Sequence, residues 1–323
     1  MFSKRLLLVC AALLLSAAHS SADLKIATFN CEWLVRSHLY MKYDIKQEEW
    51  VKLPKEDREK KWEAARSAVA NVIKDIDADV LALCEVGTIS DVQALRERIA
   101  DLGGRRYPHF WVSKTSGPLK VAIFSTLPFQ SRSSEIPGTE WYDEELDANS
   151  DERQATVTRG LSVAIDYRGE RLHLFACHLK SQLGGHSADA QRLAQASIVR
   201  RNYLPLLNAG KHVIVLGDLN AHRQSAVLRR IRGRDDIFAD LIQTGRPPVY
   251  RPRSSERVFF KDLTRRWTYE YEGTRQQLDH ILISESMLEK FEPIRADTLE
   301  VKHAIAGTKI PASDHRPLFI VLK

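Results

Sequence analysis

Apolar and polar positions alternate along most of this chain in runs that end on a polar residue. Leu24, Ile26 and Thr28 alternate with Lys25, Ala27 and Phe29, which predicts a half-buried or buried strand ending at Asn30. Pro54 followed by acids opens a predicted helix, whose apolar face is Trp62, Ala65, Val69, Val72, Ile73 and Ile76. Positions 79–83 form a continuous apolar strand that runs into Glu85. Further strands are expected over 121–125, 157–165 and 172–176. A second helix, with Ala190, Leu193, Ala194 and Ile198 on one face, precedes a strand over 212–216. Strands over 278–283 and 318–321 close the chain, and the stretches 36–55, 131–154 and 223–275 read as loop-rich. Strands separated first by helices and later by long loops predict an α/β sandwich with mixed sheets. No internal repeat, low-complexity linker, GxGxxG or Walker lysine loop interrupts this pattern. A single domain over 23–323 is the simplest division.

The first residues follow a different logic. Lys4 and Arg5 make a charged start, an apolar run follows from Leu6 to Leu15, and Ser20, Ser21 and Ala22 offer a small-residue cleavage site. Residues 1–22 therefore read as a cleaved signal peptide, and the mature chain as secreted or periplasmic. Cys10 sits too early in the run for a lipidated cysteine. Beyond position 25 no apolar stretch reaches the ~18 residues of a membrane span, so a transmembrane segment is not expected.

With 323 residues, 44% hydrophobic and 28% charged, the composition is that of an ordinary globular protein and excludes disordered, collagen-like and coiled-coil classes. Net charge is +6, and removal of Lys4 and Arg5 lowers it by two. Its distribution says more than its total. Between Arg223 and Arg275 there are 13 Lys or Arg against 7 Asp or Glu, a segment suited to polyanions if it flanks phosphate chemistry. Eight acids cluster between Glu135 and Glu152, with Arg132 just before them. Either segment on its own also fits a solvated surface. Cys31, Cys84 and Cys177 lie in apolar runs without CxxC spacing, which excludes a thiolate zinc site and favours buried free thiols. Cys31 with Cys84 is the pair to test for a disulfide, which export would permit.

The chemistry sits where the strands stop. Asn30, Glu85, His178, Asp218 and Asn220 each end an apolar run, while Asp279–His280 and Asp314–His315 abut the last two. A lone Asp or Asn there is usually a turn residue; repetition over six segments points to a shared crevice at the strand ends. Asn30, Glu85 and Asp314 offer oxygen ligands only, which suits a hard divalent cation, Mg²⁺ first, with Mn²⁺ or Ca²⁺ as alternatives. Such an ion polarises a phosphoryl oxygen and stabilises a leaving oxygen. His178 and His315 add groups that donate to phosphate or move protons near neutrality. There is no HExxH and no GxSxG. The residues therefore imply metal-assisted hydrolysis of a phosphoester.

In this order they resemble the endonuclease/exonuclease/phosphatase superfamily of deoxyribonuclease-I-like enzymes. The matching pieces are Thr28-Phe29-Asn30-Cys31-Glu32, Leu83-Cys84-Glu85-Val86, Cys177-His178-Leu179, Gly217-Asp218-Leu219-Asn220, Leu278-Asp279-His280-Ile281 and Ser313-Asp314-His315-Arg316-Pro317-Leu318. The resemblance implies a four-layer sandwich, two mixed sheets face to face with helices outside. It also implies roles: Glu85 as principal metal carboxylate with Asn30 and Asp314 beside it, and Glu32, where many members carry Asp, near a second metal position. Asp218 would orient or deprotonate water and Asn220 would hold phosphate. Asp279 and His315 would pair as acid and histidine, and His178 would donate to the phosphate or leaving oxygen without an identifiable supporting acid. Arg159 resembles the phosphate-contacting arginine, with a surface ion pair as the alternative. His280 should point away from the site into packing or onto the surface, and His186 should lie in a solvated loop.

The stretch His178-Leu179-Lys180-Ser181 is most similar to secreted bacterial nucleases of this superfamily, and Lys180 would suit a nucleic-acid phosphate. The expectation is a monomeric, low-specificity endonuclease acting on DNA, with RNA as an option. The alternatives are a phospholipase C or sphingomyelinase-like phosphodiesterase, a small phosphomonoesterase, or a binding subunit without catalysis. A lipid substrate would favour an exposed aromatic hairpin, for which Trp141-Tyr142 is the candidate. Trp267, Tyr269 and Tyr271 alternate in the basic region and read as packing more than as base-stacking residues.

Overall fold

Alternate positions of the strands face different layers, and that alternation builds the molecule. A computed structural model describes residues 23–44, 48–143, 152–232, 241–243, 267–271, 273–291 and 294–323. The expected leader 1–22 and much of the basic segment and of the acidic cluster lie outside them. In chain order the strands are β1 (Leu24–Leu34), β2 (Met41–Asp44), β3 (Glu49–Lys52), β4 (Val80–Val86), β5 (His109–Val112), β6 (Lys120–Ser125), β7 (Phe129–Ser133), β8 (Ile136–Asp143) and β9 (Glu152–Val157). They continue as β10 (Gly160–Tyr167), β11 (Glu170–Cys177), β12 (His212–Asp218), β13 (Leu241–Gln243), β14 (Tyr269–Tyr271), β15 (Thr274–Gln276), β16 (Asp279–Ser284), β17 (Arg295–Thr298) and β18 (Leu318–Leu322). The helices are α1 (Arg36–Leu39), α2 (Lys55–Ile76), α3 (Ile89–Asp101), α4 (Gly185–Asn208), α5 (Ala226–Arg232) and α6 (Glu285–Lys290).

Two six-stranded sheets stack face to face, ordered β17-β18-β1-β4-β6-β5 and β13-β16-β12-β11-β10-β7. Both are mixed: β1 runs parallel to β4 and β11 parallel to β12, while their other neighbours are antiparallel. Ile26, Ala82, Ile123, Leu174, Ile214, Ile281 and Ile320 share the buried layer between the sheets. The intervening residues Phe29, Leu83 and Phe124 face outward onto α2 and α3. On the other sheet Phe175, Val213 and Leu282 face α4 and α5. The result is helix, sheet, sheet, helix, the four-layer sandwich expected from the sequence. Among the described residues no helix is long and apolar enough to cross a membrane.

Several boundaries differ from the sequence reading. The apolar run 157–165 is two strands, because β9 pairs with β8 in a separate ribbon while β10 enters the second sheet. At the break a Cβ on Gly160 would lie 2.8 Å from the Val157 side chain and 2.9 Å from that of Ile136, so a larger residue would force those side chains to shift. The stretch 36–55 holds α1 and the β2–β3 hairpin, and the described residues of 131–154 are largely strand. Helix α3 is opened by a capping box in which Thr88 and Asp91 exchange side-chain and backbone hydrogen bonds. The three cysteines are buried and free. Cys84 faces the other sheet and Cys31 faces the helices, so the pair tested for a disulfide point to opposite sides.

Candidate active site

The inward-facing positions that fill the central layer turn polar at one end of the sandwich. On β1 the inward series Leu24, Ile26 continues through Thr28 to Asn30, and on β11 the series Leu172, Leu174, Ala176 continues to His178. On β12, Ile214 and Leu216 lead to Asp218; on β16, Ile283 and Ile281 lead back to Asp279. A period of two therefore delivers four polar side chains from both sheets to the same mouth. Its floor is buried: Asn30, His178, Asp218, Asp279 and His315 are each under one-tenth exposed.

Glu85 reaches this mouth by breaking the alternation. Leu83 and Val86 both face the helices, and the register with β6 slips between them. Glu85 takes up the extra residue with φ +59°, in the left-handed region that β-carbons disfavour. Such strain costs on the order of 1–3 kcal/mol and persists only where neighbours enforce it. Here the Asn30 amide donates to Oε1 at 3.2 Å and the Trp33 N–H to Oε2 at 2.9 Å. The Asn30 amide also donates to Asp218 Oδ2 at 3.0 Å, so one amide nitrogen ties carboxylates of both sheets together. Gly217, φ +131°, lets β12 approach β11 next to Asp218; a Cβ there would fall 2.0 Å from the Cys177 carbonyl oxygen.

The two histidines meet the carboxylates from different sides. His178 Nε2 lies 3.7 Å from both Glu85 Oε1 and Asp218 Oδ2. Among the described residues its buried Nδ1 has no hydrogen-bond partner. Two carboxylates facing Nε2 favour the tautomer with the proton on that nitrogen. Burial, together with the positive charges of Arg159 and His315, keeps this imidazole well below its usual pKa, so it is neutral. His315 Nδ1 sits 2.7 Å from Asp279 Oδ2, and its Nε2 lies 4.0 Å from Asp218 Oδ2 and 3.8 Å from Asp314 Oδ1. Burial opposes its charge, but the charge and hydrogen bond of Asp279, with Asp218 and Asp314, outweigh it and raise His315 to about 10. Asp218 moves up to about 7, through burial and the repulsion of Asp279, against the pull of His315, the Asn220 N–H and the Asn30 amide.

The remaining predicted residues take definite places. Asn220, φ +47°, donates its N–H to Asp218 Oδ1 at 2.9 Å and its amide to the Leu179 carbonyl at 3.2 Å. Among the described residues Arg159 makes no ion pair of the kind considered from sequence; its guanidinium donates to the same carbonyl at 3.0 Å, beside His178. Glu32 turns its carboxylate to accept from the Asp314 N–H at 2.9 Å, and desolvation and the repulsion of Asp314 raise it to about 7. Asp314 is likewise raised, chiefly by burial, with Glu85 adding to it against His315. Lys180 is fixed through its backbone, its N–H donating to Gln195 and its carbonyl accepting from Arg192, both at 2.8 Å. His280 is fully buried on the outward face with Nε2 2.7 Å from the Ala221 carbonyl: packing, not surface. His186 and Trp141 line a cleft of about 1190 Å³ that begins at Asn220.

Three supports were missed from the sequence. Thr268 accepts from the N–H groups of Leu278 and Asp279, both at 3.0 Å, and so fixes the start of β16. Ser313 donates to the Asn30 carbonyl at 2.8 Å and accepts from the His315 N–H at 3.0 Å. The Tyr269 ring lies 4.8 Å from the His315 ring. Ser313 carried a signal as part of the Ser-Asp-His stretch, and Tyr269 through the alternation that read as packing; Thr268 carried none.

The donor set fits a divalent cation. Glu85, His178 and Asp218 place ligand atoms within 4.8 Å of one another, as do Asp218, Asp279 and His315. Asp218 is buried, and Glu32 and Asp314 are partly desolvated, at the cost of upward shifts in all three that a bound cation would reverse. Oxygen donors dominate, as hard cations require.

A model of the Endonuclease/Exonuclease/phosphatase family matches residues 27–315. A comparison with curated protein sequences returns no match. Among solved structures, Danio rerio TDP2 complexed with a single-strand DNA product is similar at TM-score 0.56 and 14% identity, covering 94% of this chain and 99% of that one. Truncated Caenorhabditis elegans TDP2 is similar at TM-score 0.56 and 14% identity, covering 93% and 97%. Sphingomyelinase C from Streptomyces griseocarneus is similar at TM-score 0.55 and 16% identity, covering 94% and 100%. At these identities the structures share the fold. The chain belongs to the Endonuclease/Exonuclease/phosphatase family, whose members are metal-dependent hydrolases acting on phosphodiester bonds.

Proposed function

We propose that this member of the Endonuclease/Exonuclease/phosphatase family is an exported, Mg²⁺-dependent endonuclease of low sequence specificity, acting on DNA and optionally RNA. The observation that carries the reading is the Asn30 amide between Glu85 and Asp218 with both histidines facing Asp218. Export rests on the leader-like residues 1–22, and the nucleic-acid substrate on Lys180, Arg159 and the arginine-rich stretch after Asn220.

Glu85, Asn30 and Asp314 would hold the cation, with Glu32 beside them. When bound it supplies positive charge to a phosphoryl oxygen and to the leaving oxygen. Asp218, which the Asn30 amide and the Asn220 N–H hold in place, accepts the proton of the attacking water. His315, kept as an imidazolium by Asp279, donates to a phosphoryl oxygen as charge develops there. Neutral His178 donates through Nε2, and Asn220 and Arg159 hold the phosphate. Burial of both imidazoles excludes water from these contacts and strengthens them.

A plasmid-nicking assay with Mg²⁺ and with chelator tests the reading beside His178→Ala and Asp218→Ala. Nicking by the unmodified chain alone, abolished by chelator, is the expected result. Absence of nicking with chelator-sensitive release of choline phosphate from sphingomyelin would replace the nuclease by the lipid phosphodiesterase.

A further inference from the structure

Glu32 and Trp33, directly after Asn30, both occupy the left-handed region, with φ +48° and +51°. Their backbone is held there by the site itself. Asn30 Oδ1 accepts from the Glu32 N–H at 3.0 Å, and Glu85 Oε2 from the Trp33 N–H. The Trp33 side chain is thereby left at the rim, where the residue is 42% exposed. Its ring centre lies 4.7 Å from that of His38, tilted by 39°. His38 lies 5.9 Å from Trp50, tilted by 46°. Trp50, 58% exposed, stands on β3 of the hairpin inserted before α2. Three rings thus run in a row from the residue that holds the Glu85 carboxylate to the hairpin.

Positive charge accompanies the row. Lys52, exposed, is two residues from Trp50 and so on the same face of β3. Lys61 is near enough for its charge to act on His38. We propose that Trp33, His38 and Trp50 form a stacking platform for the unstacked bases of single-stranded nucleic acid, flanking the scissile phosphate on the Glu85 side. The inference rests on the nucleic-acid reading above and narrows it to single strands. Flat rings accept any base, because every base has a π-face, and Lys52 and Lys61 meet the strand's phosphates. A bilayer would need contiguous apolar area. Trp33 and Trp50 are single exposed apolar side chains among the described residues here, with Lys52 on the face of Trp50 and Lys61 close to His38.

The test is fluorescence anisotropy of a labelled 12-nucleotide oligothymidylate in chelator, where no cleavage occurs, beside a strand of equal length lacking bases. The full chain should bind the thymidylate at least about tenfold more tightly than the base-free strand. Trp50→Ala should weaken thymidylate binding about tenfold, the size of one lost stacking contact. Trp50→Phe should restore it to within about threefold, which separates stacking from misfolding. Equal binding of the two strands, no binding, or indifference to Trp50→Ala overturns the inference. So does a Trp50→Ala variant that loses binding to phosphatidylcholine–sphingomyelin vesicles while keeping the strand. Cleavage in Mg²⁺ is read separately: binding of this kind without cleavage supports the platform and sinks the nuclease, whereas cleavage with Trp50 indifferent does the reverse.

Discussion

The Asn30 amide on β1 donates to Asp218 on β12 at 3.0 Å, joining the two sheets across the mouth of the central layer. The same nitrogen donates to Glu85 at 3.2 Å, so it stands between two carboxylates that would otherwise face each other. Asn30→Ala removes a donor to the charged form of Asp218, and the Asp218 pKa should therefore rise further. The acidic limb of the hydrolysis pH profile should move to higher pH, with a rate loss on the order of 10²-fold at pH 7. A profile unmoved on the acidic side would show that Asp218 is not the group titrating.

Asp279 carries the charge that raises His315. Asp279→Asn leaves a bond to Nδ1 available but removes the charge, and the imidazole should become neutral within the neutral pH range. Hydrolysis should fall by roughly 10²–10⁴-fold, the range for a lost acid–base group. Proton NMR titration of His315 checks the cause: its transition should move down from the alkaline range.

Gly217 has no room for a side chain, since a Cβ would lie 2.0 Å from a backbone oxygen that cannot move alone. Gly217→Ala should destabilise the fold by on the order of 3–5 kcal/mol, seen as a lowered midpoint in urea. Asp218 would be displaced with it, so any folded fraction should be inactive.

His280 is buried and neutral, its pKa lowered by burial to about 4 against an ordinary 6.5. The unfolded chain binds this proton first as pH falls. The stability contributed is complete above pH 6.5 and is lost between there and pH 4, at about 1.4 kcal/mol per pH unit. His280→Gln keeps a donor for the Ala221 carbonyl without a titrating group. Urea midpoints at pH 7 and pH 4.5, in chelator, should converge in the variant relative to the unmodified chain.

Much of this site was legible because burial writes itself into the chain at period two. Asn30, His178, Asp218 and Asp279 continue inward-facing series of largely apolar residues, so the polar residue that ends each series marked the mouth. Glu85 was found as a strand end, but its route was not: a left-handed residue in a bulge leaves no trace in apolar spacing. Thr268 acts through one hydroxyl on two backbone N–H groups, a role that any surface threonine would suggest equally. The β2–β3 hairpin went unread because it packs few apolar residues and alternates weakly. Helix α3 had a readable signal in Thr88 and Asp91, the two residues of its capping box.

The claim on which all else rests is that side chains from both sheets converge on a divalent ion through Glu85. Mn²⁺ binding to the chelator-stripped chain, followed by electron paramagnetic resonance, measures it without reference to any substrate. The expected result is saturable binding that Glu85→Gln abolishes or weakens by at least about 100-fold, with the variant still folded by circular dichroism. Binding that survives Glu85→Gln unchanged, or no binding by the unmodified chain, would contradict it.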